Sequence, residues 1–63
     1  MLYNSYNRYN TIYTLEEYMA QGFTAEEAPL MREHDQLFNL DVDNNLTEEQ
    51  RERMFYLIDL LML

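Results

Sequence analysis

The chain lacks cysteine and lysine, and its 63 residues include only one glycine and one proline. Without cysteine it has no disulfide, no thiolate zinc site and no thiol nucleophile. That absence fits a reducing compartment, and we expect a cytoplasmic location. The N-terminus has no basic region followed by an apolar stretch, so no secretory signal is expected.

Long hydrophobic runs are also absent. The longest apolar stretch covers residues 54–63 and is interrupted by Asp59. Ten helical residues span about 15 Å, half of a bilayer core, so we expect no membrane-spanning segment. A hydrophobic content of 48% argues against disorder throughout the chain. At this length the sequence predicts one small domain over residues 1–63.

Negative charge is what the chain has in excess. Twelve aspartates and glutamates stand against four arginines, giving a formal net charge of −8. This balance disfavours direct binding to nucleic acid or to an anionic membrane. It suits a partner of the opposite charge, namely a basic protein.

Three helix-start signals predict a small all-α, three-helix domain over residues 14–63. Each signal is a capping box, in which a threonine is followed three residues later by glutamate or glutamine. We expect Gly22 to end the first helix. The second helix, with Pro29 in its second turn, should end near Asn39 or Leu40. The third runs to the C-terminus, and the three boxes are Thr14–Glu17, Thr24–Glu27 and Thr47–Gln50.

Residues 1–13 are rich in tyrosine and asparagine, and the sequence predicts an irregular N-terminal arm over this range. The spacing of Tyr3, Tyr6 and Tyr9 does not match the two-residue period of a strand, although residues 9–13 could be a short extended stretch. Tyrosine and asparagine are frequent in binding loops, so the arm could be a contact surface. Alternatively, it packs over the helices or frays.

Residues 41–52 resemble the calcium loop of the EF-hand family. Asp41, Asp43 and Asn45 match its first side-chain ligands, and Glu52 matches the closing glutamate. However, Leu46 stands where the sharp turn requires glycine. The favoured interpretation is a turn followed by a capped helix, with no metal and no cofactor. A degenerate calcium-binding module is an alternative.

The single histidine, His34, lies in the apolar stripe of the second helix. It could act as a general base or a pH switch. The favoured interpretation is a buried or half-buried histidine with one hydrogen-bonded nitrogen. Since no nucleophile, phosphate loop or metal cluster accompanies it, we expect no enzymatic activity.

The carboxylates around the second helix and the following turn are the predicted partner-binding residues. Anions stabilise helix N-termini, which explains some of them, but not the whole excess. Being close in sequence, they could form one acidic edge. The set comprises Glu26, Glu27, Glu33, Asp35, Asp41, Asp43, Glu48 and Glu49.

The C-terminal helix carries two apolar stripes, more than a three-helix domain needs. We expect the second stripe, Tyr56, Leu60 and Leu63, to contact a partner or another copy in a homodimer. The alternative is that the other two helices and the arm wrap this helix on all sides. The first stripe is one broad face that comprises Met54, Phe55, Leu57, Ile58, Leu61 and Met62.

Three hypotheses for function follow. The first is an acidic interaction protein that binds and blocks a basic, nucleic-acid-binding protein. Small phage and mobile-element inhibitors, including anti-restriction and anti-CRISPR proteins that act as DNA mimics, offer an analogy of size and charge. The second is a regulatory or structural module that oligomerises through its C-terminal helix, and the third is the calcium module. Salt dependence separates the first two, because charge-driven association weakens with screening.

Overall fold

The computed structural model describes residues 9–63, and the part of the arm before Tyr9 lies outside them. Within this range the chain forms three helices and no strand, which confirms the all-α prediction. The helices are α1 (Leu15–Ala20), α2 (Glu27–Val42) and α3 (Glu48–Leu61). Residues 9–13 are irregular, while Tyr3 and Tyr6 lie outside the described range.

The capping boxes of α1 and α3 form as predicted. Thr14 Oγ1 accepts the amide of Glu17 at 3.2 Å, and Glu17 Oε1 accepts the amide of Thr14 at 2.9 Å. Thr47 and Gln50 make the same reciprocal pair at 3.1 and 2.9 Å. Each box satisfies two amides that a helix start would otherwise leave without partners.

The third box precedes α2. Thr24 Oγ1 accepts the amide of Glu27 at 3.1 Å, and Glu27 Oε1 accepts the amide of Thr24 at 3.0 Å. The regular helix nevertheless begins only at Glu27. Pro29 explains this late start, because it has no N–H to bond a carbonyl in the preceding turn.

Left-handed residues end α1 and α2. Gly22 (φ 111°) follows α1, and the amide of Phe23 donates to the carbonyl of Tyr18 at 3.3 Å, which completes a Schellman motif. Asn44 (φ 57°) plays the same role after α2. The prediction that α2 ends near Asn39 or Leu40 was therefore wrong, because the left-handed residue that terminates the helix is Asn44, and the helix continues to Val42 before it.

The apolar core lies between α2 and α3. It consists of Leu37, Met54 and Leu57, with partly buried hydrophobic residues around it. The short connection, residues 43–47, makes α2 and α3 antiparallel neighbours. Burying a side chain such as Leu57 completely contributes about 1.5–3 kcal/mol.

The other side of α2 packs against α1. Tyr18 is the only fully buried side chain of α1, and its ring meets the edges of Tyr13 and Phe23 with centroids 5.4 and 6.3 Å away. Ala28 of α2 is also fully buried. Residues two apart on a helix point about 200° apart, so Ala28 and Leu30 face opposite neighbours.

No helix of the described residues has the length and apolar content needed to cross a bilayer.

Candidate functional site

Few of the carboxylates are paired with a basic side chain in the described part of the structure. Among residues 9–63, only Glu33 and Asp35 lie within ion-pair distance of a basic side chain, Arg53 and His34 respectively. The other ten of the twelve carboxylates have no ion-pair partner in this range. This negative surface is the main chemical feature of the described part of the molecule.

Four of the predicted carboxylates meet at one end of the α2–α3 hairpin. Asp41 and Asp43 stand at the C-terminal end of α2, while Glu48 and Glu49 open α3 after the short turn. Asp43, Glu48 and Glu49 are exposed, and Asp41 is half-buried. We refer to these four residues as the acidic end.

Glu26 and Glu27 stand at the opposite end of α2. This helix has 16 residues, which corresponds to a length of about 24 Å. The carboxylate of Glu27 is also occupied by its capping bond to Thr24. The expected single acidic edge is therefore divided, and only the acidic end concentrates four carboxylates.

Glu33 is neutralised by an arginine of α3. Arg53 donates from Nε to Glu33 Oε2 at 2.8 Å and from Nη2 to Oε1 at 3.0 Å. This two-bond contact lowers the pKa of Glu33. The guanidinium also lies 5.4 Å from the ring centroid of Tyr56. Glu33 therefore ties α2 to α3 instead of offering a free charge to a partner.

Asp35 was predicted as a surface residue for partner binding, and the structure shows that this placement was wrong. The residue is only 4% exposed. Its carboxylate accepts hydrogen bonds from the Tyr18 hydroxyl at 2.6 Å and from Asn10 Nδ2 at 3.0 Å. The reason is that Asp35 lies on the side of α2 that contacts Tyr18 of α1, about two helical turns from the buried Ala28.

His34 completes this buried polar cluster. Its Nδ1 lies 3.2 Å from Asp35 Oδ1. In the tautomer that carries a proton on Nδ1, the ring donates this hydrogen bond to the carboxylate. The interpretation of His34 as a buried histidine with one hydrogen-bonded nitrogen is confirmed.

The pKa of Tyr18, which belongs to the same cluster, is raised in the folded chain. Burial, and secondly its hydrogen bond to Asp35, raise the pKa of Tyr18 to about 12. The phenol therefore stays protonated and continues to donate over the whole physiological range. No buried side-chain nitrogen or oxygen of the described residues lacks a hydrogen-bond partner.

Asn10 fastens the described part of the arm to α2. The backbone amide of Asn10 donates to Asn39 Oδ1 at 2.8 Å, and Asn39 Nδ2 donates to the backbone carbonyl of Asn10 at 2.9 Å. Tyr9 also donates its hydroxyl hydrogen to Asp43. For residues 9–13 the structure thus shows packing over the helices. The sequence signal was the four-residue spacing of Asp35 and Asn39, which puts both on one face of α2.

The segment that resembles a calcium loop is divided between two helices. Asp41 belongs to α2 and Glu52 to α3, while Leu46 packs against the apolar core. The α3 cap at Thr47 gives the turn followed by a capped helix that the sequence favoured. No three acidic or histidine side chains of the described residues are grouped to hold a metal ion.

The outward face of α3 is the second notable surface. Of the first stripe, Met54 and Leu57 are buried, whereas Phe55 and Met62 are exposed, so the helix is not wrapped on all sides by the described residues. The reason is that α2 covers only one side of α3. The second stripe, Tyr56, Leu60 and Leu63, is exposed in the single chain.

The described surface has no concave pocket. No protein-family model, curated protein or solved structure matches the chain. The two distinctive exposed surfaces of the described residues are the acidic end and the outward face of α3.

Proposed function

We propose that this protein is a non-enzymatic, acidic interaction protein that binds and blocks a basic protein. The observation that carries the proposal is the acidic end, where four carboxylates without ion-pair partners among residues 9–63 surround one turn. A basic groove that normally receives nucleic acid is the surface most complementary to it, so we place a nucleic-acid-binding protein of the cytoplasm first among partners.

The energetics require several carboxylates to act together. One exposed ion pair contributes about 0.2–1 kcal/mol, so a single charge does not determine affinity. A group of charges does more, because complementary potentials accelerate encounter and exclude partners of the wrong sign. The buried Asp35 and the paired Glu33 take no part in this contact.

The test uses the purified protein as bait for a bacterial lysate, with the captured proteins identified by mass spectrometry. We expect a basic protein whose capture decreases sharply between about 0.05 and 0.5 M salt, since the screening length falls from roughly 14 to 4 Å. The double variant Glu48→Lys/Glu49→Lys should lose this protein, because like charges then face each other.

A matched control separates the acidic end from net charge. Glu16→Lys/Glu26→Lys makes the same change in charge at two other exposed helix starts, and should retain capture. Circular dichroism confirms that both variants are folded. If both variants lose the protein equally, or neither does, the acidic end is not the binding site. Release of nucleic acid from the captured protein by the parent chain would establish blocking.

A further inference from the structure

The outward face of α3 has a regular pattern, which we call the outer stripe: Glu52, Phe55, Tyr56, Asp59 and Leu60. Their spacing is i, i+3, i+4, i+7 and i+8, which places all five on one side of a helix. Each is exposed. The opposite side of α3 holds the core residues Met54 and Leu57. The helix is thus built to pack on two sides, and α2 occupies only one.

Three members of the outer stripe are large hydrophobic residues. Phe55, Tyr56 and Leu60 are 57, 54 and 48% exposed. Single exposed hydrophobic residues are common on protein surfaces, but a contiguous group at helical spacing is typical of a helix-binding surface. The structure supplies no segment among residues 9–63 that covers them.

The two carboxylates in the outer stripe determine which helix can bind there. Glu52 and Asp59 are seven residues apart, about 10.5 Å along the axis, and neither has an ion-pair partner among the described residues. A second copy of α3 would place these acids against like charges, and each copy carries a net charge of −8. Like charges across an interface oppose association.

We infer that the outer stripe binds an amphipathic α-helix of another protein, one that carries lysine or arginine seven residues apart beside apolar residues. The basic positions would face Glu52 and Asp59, and the apolar positions would pack on Phe55, Tyr56 and Leu60. This inference rests on the proposed function in taking the partner to be basic, and it names the binding segment.

The probe is a synthetic helical peptide with lysines seven residues apart and leucines between them on the same face. A control peptide has the same composition in shuffled order, so that the basic and apolar residues do not share a face. Fluorescence anisotropy with the full chain measures both dissociation constants. We expect the patterned peptide to bind about tenfold more tightly, and equal binding would contradict the inference.

Variants then locate the contact. Phe55→Ala/Leu60→Ala should weaken binding of the patterned peptide about tenfold or more, since buried apolar anchors dominate such interfaces. The matched control is Leu15→Ala/Met19→Ala, which removes apolar side chains of α1 that are 44 and 39% exposed. It should change the affinity by less than about twofold. Equal losses in both variants would overturn the inference.

Charge is tested separately. Asp59→Asn should weaken the patterned peptide, whereas Glu16→Gln, a neutralisation at an exposed site on α1, should not. Sedimentation of the parent chain tests the rival occupant. If the chain dimerises through Phe55 and Leu60, and the dimer excludes the peptide, the stripe belongs to a second copy and the inference is wrong.

The inference and the proposed function fail in different experiments. Loss of the lysate partner in Glu48→Lys/Glu49→Lys, combined with equal binding of the two peptides, would retain the acidic end and refute the helix-binding stripe. The reverse pair of results would retain the stripe and refute the acidic end.

Discussion

The two sides of α2 are held by different chemistry. Toward α3, the contact is a hydrocarbon core of Leu37, Met54 and Leu57. Toward α1 and the arm, a buried carboxylate, Asp35, collects hydrogen bonds from three parts of the chain. One side therefore depends on area removed from water, and the other on donors that must be correctly placed.

This strongly acidic chain buries one of its acids, Asp35, because α1 offers little apolar surface. α1 has only six residues and contributes one buried side chain, Tyr18, so it has little apolar area with which to dock. Directed hydrogen bonds to Asp35 and Asn39 hold α1 and the arm in register instead. Asp35 is the only one of the twelve carboxylates that is buried.

The largest expected effect is on the apolar side. Leu57→Ala should cost about 2–5 kcal/mol, a large part of the roughly 3–9 kcal/mol available to a domain of this length. Urea denaturation followed by circular dichroism measures the loss. Leu60→Ala, the same change at an exposed site of α3, should cost less than about 0.5 kcal/mol. Similar losses in both would mean that α3 does not pack in this orientation.

A smaller effect is expected on the polar side. Tyr18→Phe keeps the ring but removes the hydroxyl that donates to Asp35. Leaving a buried acceptor without this donor should cost about 1–3 kcal/mol in the free energy of unfolding. The control Tyr56→Phe removes a hydroxyl from an exposed ring and should be nearly neutral.

Tyr18→Phe should also change how the free energy of unfolding depends on pH. The pKa of Tyr18 is raised from 10.0 to about 12 in the folded chain, mainly by burial. Its contribution to stability is therefore full below pH 10 and is lost as the pH rises toward 12. Tyr18→Phe should remove this alkaline loss and Tyr56→Phe should preserve it. An unchanged alkaline slope in Tyr18→Phe would contradict the buried cluster.

The features that could be predicted from the sequence are separated from those that could not in the same way as the two sides of α2. The threonine caps, Gly22 and the buried Leu57 follow local rules of spacing and conformation, so the three helices were predictable. The burial of Asp35 was not, because it depends on donors from Asn10 and Tyr18, which are distant in the sequence. Tertiary contacts of this kind determine which carboxylates remain exposed.

The exposure of Phe55 on α3 could not be predicted from the helical pattern, for a related reason. A helical wheel groups Phe55 with Met54 in one broad apolar face, about 100° apart, but it does not show how much of that face the neighbouring helix covers. With α2 on one side only, Phe55 remains outside the core. The outer stripe could therefore be recognised only after the packing was known.

The central claim is that the side of α2 facing α1 serves structure, while α3 and the acidic end serve binding. Amide NMR of the full chain titrated with the patterned basic peptide tests it most directly. We expect chemical-shift changes along the outer stripe, and none at Asn10, Tyr18, Asp35 and Asn39. Changes centred on those four residues, with α3 unaffected, would contradict the claim.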